Sequence, residues 1–428
     1  MKSDIDRRDF IKGSLVVGAG LSVFGTVAPA RAAGTEEKII LGMIGTGGRG
    51  TQLTNGYLGM PQAEIRYVCD VDSKNVENAA KAVALKQKAK VTTVGDLRKV
   101  LDDPAVYAVV IATPDHWHAP AAIMAVAAGK HVYVEKPCCH NPAEGEMMIA
   151  AARKNNRVMQ MGSQRRSYPK VREAIEKLKA GEIGTVLFSK GWYTAKREGI
   201  GHGKETPPPA WLDYAMWQGP APERPYKDNI LHYSWHWFWH WGTGELGNNG
   251  IHSLDICRWG LGVEYPRRVT AGGGRYYFND DQETPDTHVV TYDFGDKLIT
   301  WEGRSCLPNG VEGMTFGIGF FGSKGTLIID NNGYRILDLK GKEMKKESDK
   351  ASDIPHYTNF FECIRSGNRP NADIEEGYKS TLLCHLGNIA WRAGGTINCD
   401  QKNGHITGNA EAEKLWRREY RPGWEPKI

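Results

Sequence analysis

The residues best placed to do chemistry begin at a glycine-rich loop, Gly45-Thr46-Gly47-Gly48-Arg49-Gly50, which has the form G-x-G-x-x-G and follows an apolar run over 38–44. Gly45 and Gly47 permit a tight turn and let the backbone approach a pyrophosphate. Gly50 lets the following helix pack closely on the strand, and that helix's N-terminus stabilises phosphate charge. A second strand-like run, 64–69, ends at Asp70, twenty residues beyond Gly50, the spacing expected of a carboxylate that meets the adenosine ribose. A carboxylate there repels a 2′-phosphate, so the expected cofactor is NAD(H), while Arg49 and Lys74 leave NADP(H) open. The chemistry in view is hydride transfer, with the whole loop, Thr46 and Gly48 included, as the cradle.

The elements that must position these groups alternate. Strand-like runs at 108–112, 130–134 and 158–161 are separated by helical stretches, the second over 142–155. Open parallel sheets bind ligands beyond the carboxyl ends of their strands. Those ends carry Asp70, Thr113-Pro114-Asp115-His116-Trp117-His118, Glu135-Lys136-Pro137 and Gln164. One crevice should collect them, and Thr113, Pro114, His116, His118, Glu135, Lys136 and Gln164 join the expected cofactor contacts. Beyond 267 the pattern becomes short strands broken by Gly, Asp and Asn turns, with closing helices at 357–366 and 375–393 and a polar tail. The domains read as 1–32 signal, 36–162 dinucleotide-binding, 163–400 substrate and oligomerisation, and 401–428 tail. A wide sheet with one free face suggests self-association, as a dimer or tetramer.

An aromatic segment dominates the middle. Eight of the thirteen tryptophans fall from Trp192 to Trp259, densest in the stretch from His232 to Trp241. Three readings compete. His232, His236 and His240, spaced i, i+4, i+8, would share a helix face and could hold a metal, though no Cys joins them and Glu245 is the only nearby acid. The rings could simply pack at a domain junction. Or Trp235 and Trp237, with Tyr193 nearby, form a stacking wall for sugar rings that leads into Asn248 and His252. The loop 199–211, with three consecutive prolines, cannot be regular; a rim, a lid or an arm to a neighbouring subunit is expected.

The totals exclude other classes. Hydrophobic residues at 40% and charged residues at 25% are ordinary for a globular chain, and 428 residues suit two domains. A net charge of +5 without a basic block argues against nucleic acid. Eight cysteines without a CxxC pair argue against a zinc ribbon or a disulfide framework. The first thirty residues read as an address: Arg7-Arg8-Asp9-Phe10-Ile11-Lys12 is a twin-arginine signature, an apolar stretch follows over 14–27, and small-residue cleavage sites end it. The expectation is a chain exported folded to the periplasm, with no stable membrane anchor after cleavage.

The glycine loop, Thr113-Pro114-x-x-x-His118, Gly129-Lys130-His131-Val132-x-x-Glu135-Lys136-Pro137 and Gly250-x-His252-x-x-Asp255 together resemble the Gfo/Idh/MocA family. The resemblance implies an α/β chain: an N-terminal Rossmann domain plus a C-terminal α/β domain on a large open, mainly antiparallel sheet. It implies a bound nicotinamide cofactor and a sugar, polyol or glycoside substrate, and it marks Lys136 as the acid/base, with burial lowering its pKa. His252 is the second candidate. The family pattern has an aspartate four residues before that histidine; here Asn248 stands there, so His252 should be less basic and Lys136 more important. Asp255 is expected to be structural.

Outside the cytoplasm there is no free NAD pool, so a tightly held cofactor regenerated on the enzyme is expected. Net redox turnover of a carbohydrate is the first reading. The second is an NAD-dependent glycoside hydrolase working by transient oxidation and elimination. The third, least favoured, is a non-catalytic sugar-binding protein.

Overall fold

A computed structural model describes residues 38–428 apart from Asn332. The expected export signal lies outside the described residues. In chain order the first domain runs β1 (Ile39–Ile44), α1 (Gly48–Leu58), β2 (Ala63–Cys69), α2 (Ser73–Lys86), β3 (Thr92–Val94), α3 (Leu97–Leu101), β4 (Ala108–Ile111), α4 (Asp115–Ala127), β5 (His131–Val134), α5 (Pro142–Lys154) and β6 (Met159–Met161). Its six strands are all parallel in the order β3-β2-β1-β4-β5-β6. β4 and β5 are buried at every position, as strands covered on both faces must be. Strand order reverses between β1 and β4, and a crevice opens at that switch point.

The second domain runs α6 (Pro169–Lys179), β7 (Val186–Thr194), α7 (Tyr214–Gln218), α8 (Ile251–Leu261), β8 (Arg268–Gly274), β9 (Thr287–Asp293), β10 (Leu298–Arg304), β11 (Phe316–Gly322), β12 (Gly325–Ile329), β13 (Gly333–Leu337), β14 (Glu343–Ser348), α9 (Ile354–Ser366), α10 (Ile374–Arg392), β15 (Thr396–Cys399), β16 (Ile406–Thr407) and α11 (Ala410–Lys414). Ten strands form one sheet, β14-β13-β12-β11-β7-β10-β9-β8-β15-β16, in which only β7 and β10 pair in parallel. Along β9 the residues His288, Val290 and Tyr292 are buried, whereas Val289 between them is exposed. This period-2 pattern faces the sheet toward α8 and α10 and leaves its other side open. The expected architecture is therefore present.

Two elements fall where the sequence alone does not put them, and the proline-rich loop takes one of the places expected of it. Helix α9 leaves its own sheet and covers the Rossmann sheet beside α1, packing Tyr357, Phe360 and Phe361 onto Tyr57 and Tyr133. The segment 401–428 is not loose: Trp416 is buried and its carbonyl accepts from Ala143 N–H, Arg418 and Tyr420 bind the buried Glu144, and Trp424 meets the edge of Trp117. The polar composition of that tail hid two anchoring indoles. The proline-rich loop ends on the turn after β2, where Ser73 N–H donates to Trp211 O at 2.9 Å and Asp213 N–H to Val71 O at 3.0 Å. It is a rim strapped to the first domain. The cysteines are all buried free thiols. Among the described residues no helix is long and apolar enough to cross a membrane.

Candidate active site

The crevice beyond β1, β2 and β4 continues into the second domain as one cleft of about 620 Å³. Gly45 has φ +81°, and a Cβ there would lie 2.6 Å from the Ala112 carbonyl, so only glycine allows the turn. A Cβ on Gly50 would stand 2.0 Å from the Gly45 oxygen, which fixes how closely α1 approaches β1. At Gly48 a Cβ would meet nothing within 4 Å, and at Gly47 only the Asn75 amide at 3.4 Å. The loop therefore leaves room over bare backbone, and α1 starts with no side-chain cap and no acid in its first turn. Free N–H groups at an uncapped helix start suit a pyrophosphate. The residues fit a dinucleotide.

Asp70 joins loop and strand. Its Oδ2 accepts from Thr46 N–H at 2.7 Å and its Oδ1 from Asp72 N–H at 2.9 Å. Burial raises its pKa, against the pull of those two bonds. Arg49 is held by two carboxylates, Glu135 at 2.9 Å and Asp353 at 3.0 Å, and Lys74 lies over the Trp211 ring at 4.6 Å. Arg49 is thus already paired rather than waiting for a 2′-phosphate, which favours NAD(H). The Thr113 hydroxyl and the Gln164 carbonyl are buried polar atoms without a partner on the cleft wall. His118 is wedged between the carbonyls of Pro137, 2.6 Å, and Thr113, 2.8 Å. His116, two residues away on α4, points the other way. It is fully buried, bonded to the Trp217 carbonyl at 2.9 Å, and does not reach the cleft.

Lys136 follows β5 and reaches into the cleft. Its Nζ donates to Asn248 O at 2.8 Å and to Asn248 Oδ1 at 3.0 Å. Burial lowers its pKa, with Glu135, Asp115 and Glu245 opposing and Arg49 assisting. Asn248 sits in a single π-helical turn, Leu246–Gly250, that widens the start of α8. Such turns re-aim side chains at functional positions. The Asn248 amide donates to the Tyr233 hydroxyl at 3.0 Å and toward Glu245 at 3.4 Å. Asn248 therefore orients Lys136, not His252. His252 lines the same cleft, with Nδ1 buried and unpartnered. Burial and the charges of Lys136, Arg165 and Arg49 hold its imidazole well below the ordinary range, so the ring is neutral. Asp255 turns away to Arg166 at 2.8 Å and to Ser163 and Ser380.

Of the aromatic candidates, Trp235 lines the cleft together with Tyr233 and Trp217. Trp237 is buried behind Tyr233, and Trp237 and Tyr193 both surround the Arg197 guanidinium at 5.1 and 5.7 Å instead of facing the cleft. The three histidines share no helix face. A short 3-10 turn spans Ser234–Trp237, and His232, His236 and His240 bond to Asp72, the Tyr233 carbonyl and the Pro222 carbonyl respectively. Among the described residues no group of three His, Cys, Asp or Glu side chains is placed to hold a metal ion.

Sequence reasoning missed a buried pair behind Asn248. Glu245 accepts from Arg197 at 2.6 Å and from the Asn249 amide, and Arg197 in turn lies 5.3 Å from the Tyr233 ring. Burial works against the Arg197 charge, but Glu245 outweighs it and the pKa rises. No local signal marks this pair, because its members are forty-eight residues apart.

Comparisons with known proteins bear on the two domains that frame the cleft. Residues 39–163 match the oxidoreductase family described by its NAD-binding Rossmann fold, Gfo/Idh/MocA, and residues 192–426 match that family's C-terminal alpha/beta domain. The chain is 32% identical over 164 residues to levoglucosan dehydrogenase of Pseudarthrobacter phenanthrenivorans, covering 37% of this chain and 41% of that protein. It is 31% identical over 208 residues to a glycosyl hydrolase family 109 protein of Saccharopolyspora erythraea, covering 44% and 45%. The chain thus spans less than half the length of these two relatives. A solved levoglucosan dehydrogenase in complex with NADH superposes with a TM-score of 0.67 at 19% identity, over 85% of this chain and 100% of that one, which speaks to the fold. Both domains of the chain are thereby accounted for, and it belongs to the Gfo/Idh/MocA oxidoreductase family.

Proposed function

We propose that the protein is an NAD-dependent oxidoreductase acting on a CH–OH group of a sugar, polyol or glycoside. The observation that carries this reading is the meeting of Lys136, Asn248 and His252 in the cleft that also contains the glycine loop. Gly45 to Gly50 and Asp70 would hold the dinucleotide, with Thr113 and Gln164 offering their unpartnered atoms. When bound, the nicotinamide supplies a hydride acceptor.

The chain's own residues handle the proton. A neutral lysine amine has two N–H donors and one lone pair. Both donors of Lys136 go to Asn248, at 2.8 and 3.0 Å, which leaves the lone pair for the cleft. Burial lowers the pKa of the amine, toward the neutral form a base needs. Lys136 therefore takes the hydroxyl proton as the carbinol C–H leaves as hydride, without breaking either bond to Asn248. His252, kept neutral, offers a hydrogen bond to a second substrate hydroxyl. Tyr233 and Trp235 bound the space for the sugar ring.

A second reading is net hydrolysis through transient oxidation, favoured by the similarity to a glycosyl hydrolase relative. Export to the periplasm by the twin-arginine route rests on the residues Arg7 and Arg8 and the apolar stretch after them. Self-association rests on the open face of the ten-stranded sheet, where Leu187, Val289 and Phe321 are exposed. The test is product analysis with NAD(H)-loaded protein and a carbohydrate panel. A keto sugar or lactone supports net oxidation, a released sugar with unchanged cofactor supports hydrolysis, and no turnover of any sugar opposes both.

A further inference from the structure

A second cavity, of about 250 Å³, shares no residue with the active-site cleft. It is lined by the start of α5, by α10, by residues 239–243 and by the docked C-terminal segment. Four guanidinium groups line it, Arg224, Arg392, Arg417 and Arg418, and no carboxylate does. Two carboxylates reach these groups and both have other duties. The buried Glu144 takes Arg418 at 2.6 Å, the Tyr420 hydroxyl at 2.9 Å and His140 N–H at 3.0 Å. Glu283 takes Trp239 N–H at 2.7 Å and Arg224 only at 3.8 Å. Arg392 lies over the Trp239 ring at 5.1 Å, and neither it nor Arg417 has an ion-pair partner among the described residues.

The donors around this cavity outnumber the acceptors. Both ring nitrogens of His140, the Asn141 amide nitrogen, and Nε and Nη1 of Arg418 are buried atoms with no hydrogen-bond partner. Asn141 itself is 5% exposed. A neutral imidazole offers one N–H, so His140, the Asn141 amide and the two Arg418 nitrogens make up the unpaired donors, and native structures seldom leave so many in one place. The start of α5 adds nothing, because Pro142 has no N–H, Ala143 N–H bonds to Trp416 O and Glu144 N–H to Asn141 Oδ1. The excess is in side chains, and charged forks with amide and imidazole N–H groups are the set that recognises an oxyanion. The arginines are also felt by the histidines: burial, with Arg418 assisting, holds His140 well below its ordinary range, and burial with Arg224 pushes His240 down to about 4.

We propose that this cavity is a binding site for a small oxyanion, coordinated by His140, Asn141 and Arg418 and neutralised by Arg392 and Arg417. The shared chemistry is a compact anionic oxygen group, free as inorganic phosphate or carried on an acidic sugar. The proposal does not depend on the redox reading of the cleft. Its test is a thermal-unfolding titration of the full chain with inorganic phosphate, glucose 6-phosphate and glucuronate, each at ionic strength held constant with sodium chloride. Wild type is compared with the double variant Arg392→Gln/Arg417→Gln, whose side chains are solvent-exposed and whose replacement leaves the core intact. The expected result is a saturable rise in the unfolding midpoint for wild type, with half-saturation weakened about tenfold or more in the double variant, the loss expected for charge-assisted bonds. A lower half-saturation for the sugar-borne anions than for phosphate assigns the site to an acidic sugar, and the reverse assigns it to the free ion. A rise that never saturates, or one that survives unchanged in the double variant, belongs to general salt effects or to the glycine loop and overturns the proposal.

Discussion

Replacing Asn248 by aspartate should move the working pH of the enzyme. The side-chain oxygen of Asn248 lies 3.0 Å from Lys136 Nζ. A carboxylate there attracts the ammonium form with a gross energy of about 5 kcal/mol at an effective dielectric near 20. Burying the new charge, with its second oxygen about 3.4 Å from the Glu245 carboxylate, offsets much of this. What remains is a rise of about 1–2 units in the Lys136 pKa, or about 1.4–2.7 kcal/mol. A general base must be neutral, so on the acid limb kcat/KM for sugar oxidation falls about 10–100-fold, while the alkaline plateau stays. The assay is kcat/KM against pH for wild type and Asn248→Asp. The rate of Lys136 acetylation against pH, read by mass spectrometry, is a second readout that needs no substrate. Both curves should shift to higher pH together. An acid limb that stays in place while the acetylation curve moves would refute Lys136 as the base, and two unmoved curves would refute the coupling between Asn248 and Lys136.

Other outcomes follow from the same geometry. Gly47→Ala should leave the unfolding midpoint nearly unchanged, since its Cβ meets only the Asn75 amide at 3.4 Å, yet weaken NADH binding about tenfold or more, measured by fluorescence titration. Gly50→Ala, with a Cβ 2.0 Å from a carbonyl oxygen, should instead lower stability itself. Tyr233→Phe removes the acceptor of the Asn248 amide at a half-exposed site, so stability should change by less than about 1 kcal/mol while kcat/KM falls and NADH affinity holds. His288 is buried, and burial pushes its pKa down to about 3. Its unfolded form takes up a proton below about 6.5 and its native form does not, so stability rises with pH across that window and is lost on acidification. Between pH 7 and 5.5 this histidine costs about 1 kcal/mol, and His288→Gln should flatten the pH slope of denaturant-measured stability by that amount.

The cofactor half of the site is legible in the sequence because its chemistry is local. The turn, the strand before it and Asp70 all sit within one βαβ unit, and the geometric demand for glycine at Gly45 is visible in the residue itself. The substrate half is less so. His116 and His118 look equivalent on paper, but two residues along a helix are about 200° apart, and only His118 turns to the cleft. The spacing of His232, His236 and His240 suggests one face only if the segment is helical, and it takes a short 3-10 turn instead. Glu245, Arg197 and Tyr233 come together through the π turn before α8, which no propensity announces. Helix α9 carries the right apolar stripe, but a stripe does not say which sheet it will cover, and it crosses to the first domain.

Under the proposed function Lys136 drives hydride transfer between a carbohydrate and the nucleotide of the Rossmann cleft. A single-turnover experiment tests it most directly: protein loaded with NAD⁺ is mixed with a carbohydrate panel while absorbance at the reduced-nicotinamide band is followed, for wild type and Lys136→Met. Absorbance should rise with at least one sugar for wild type, and with none for Lys136→Met at equal NAD⁺ occupancy. An equal rise in the variant, or full NAD⁺ occupancy with no absorbance change and no product from any sugar in wild type, would contradict the proposed function.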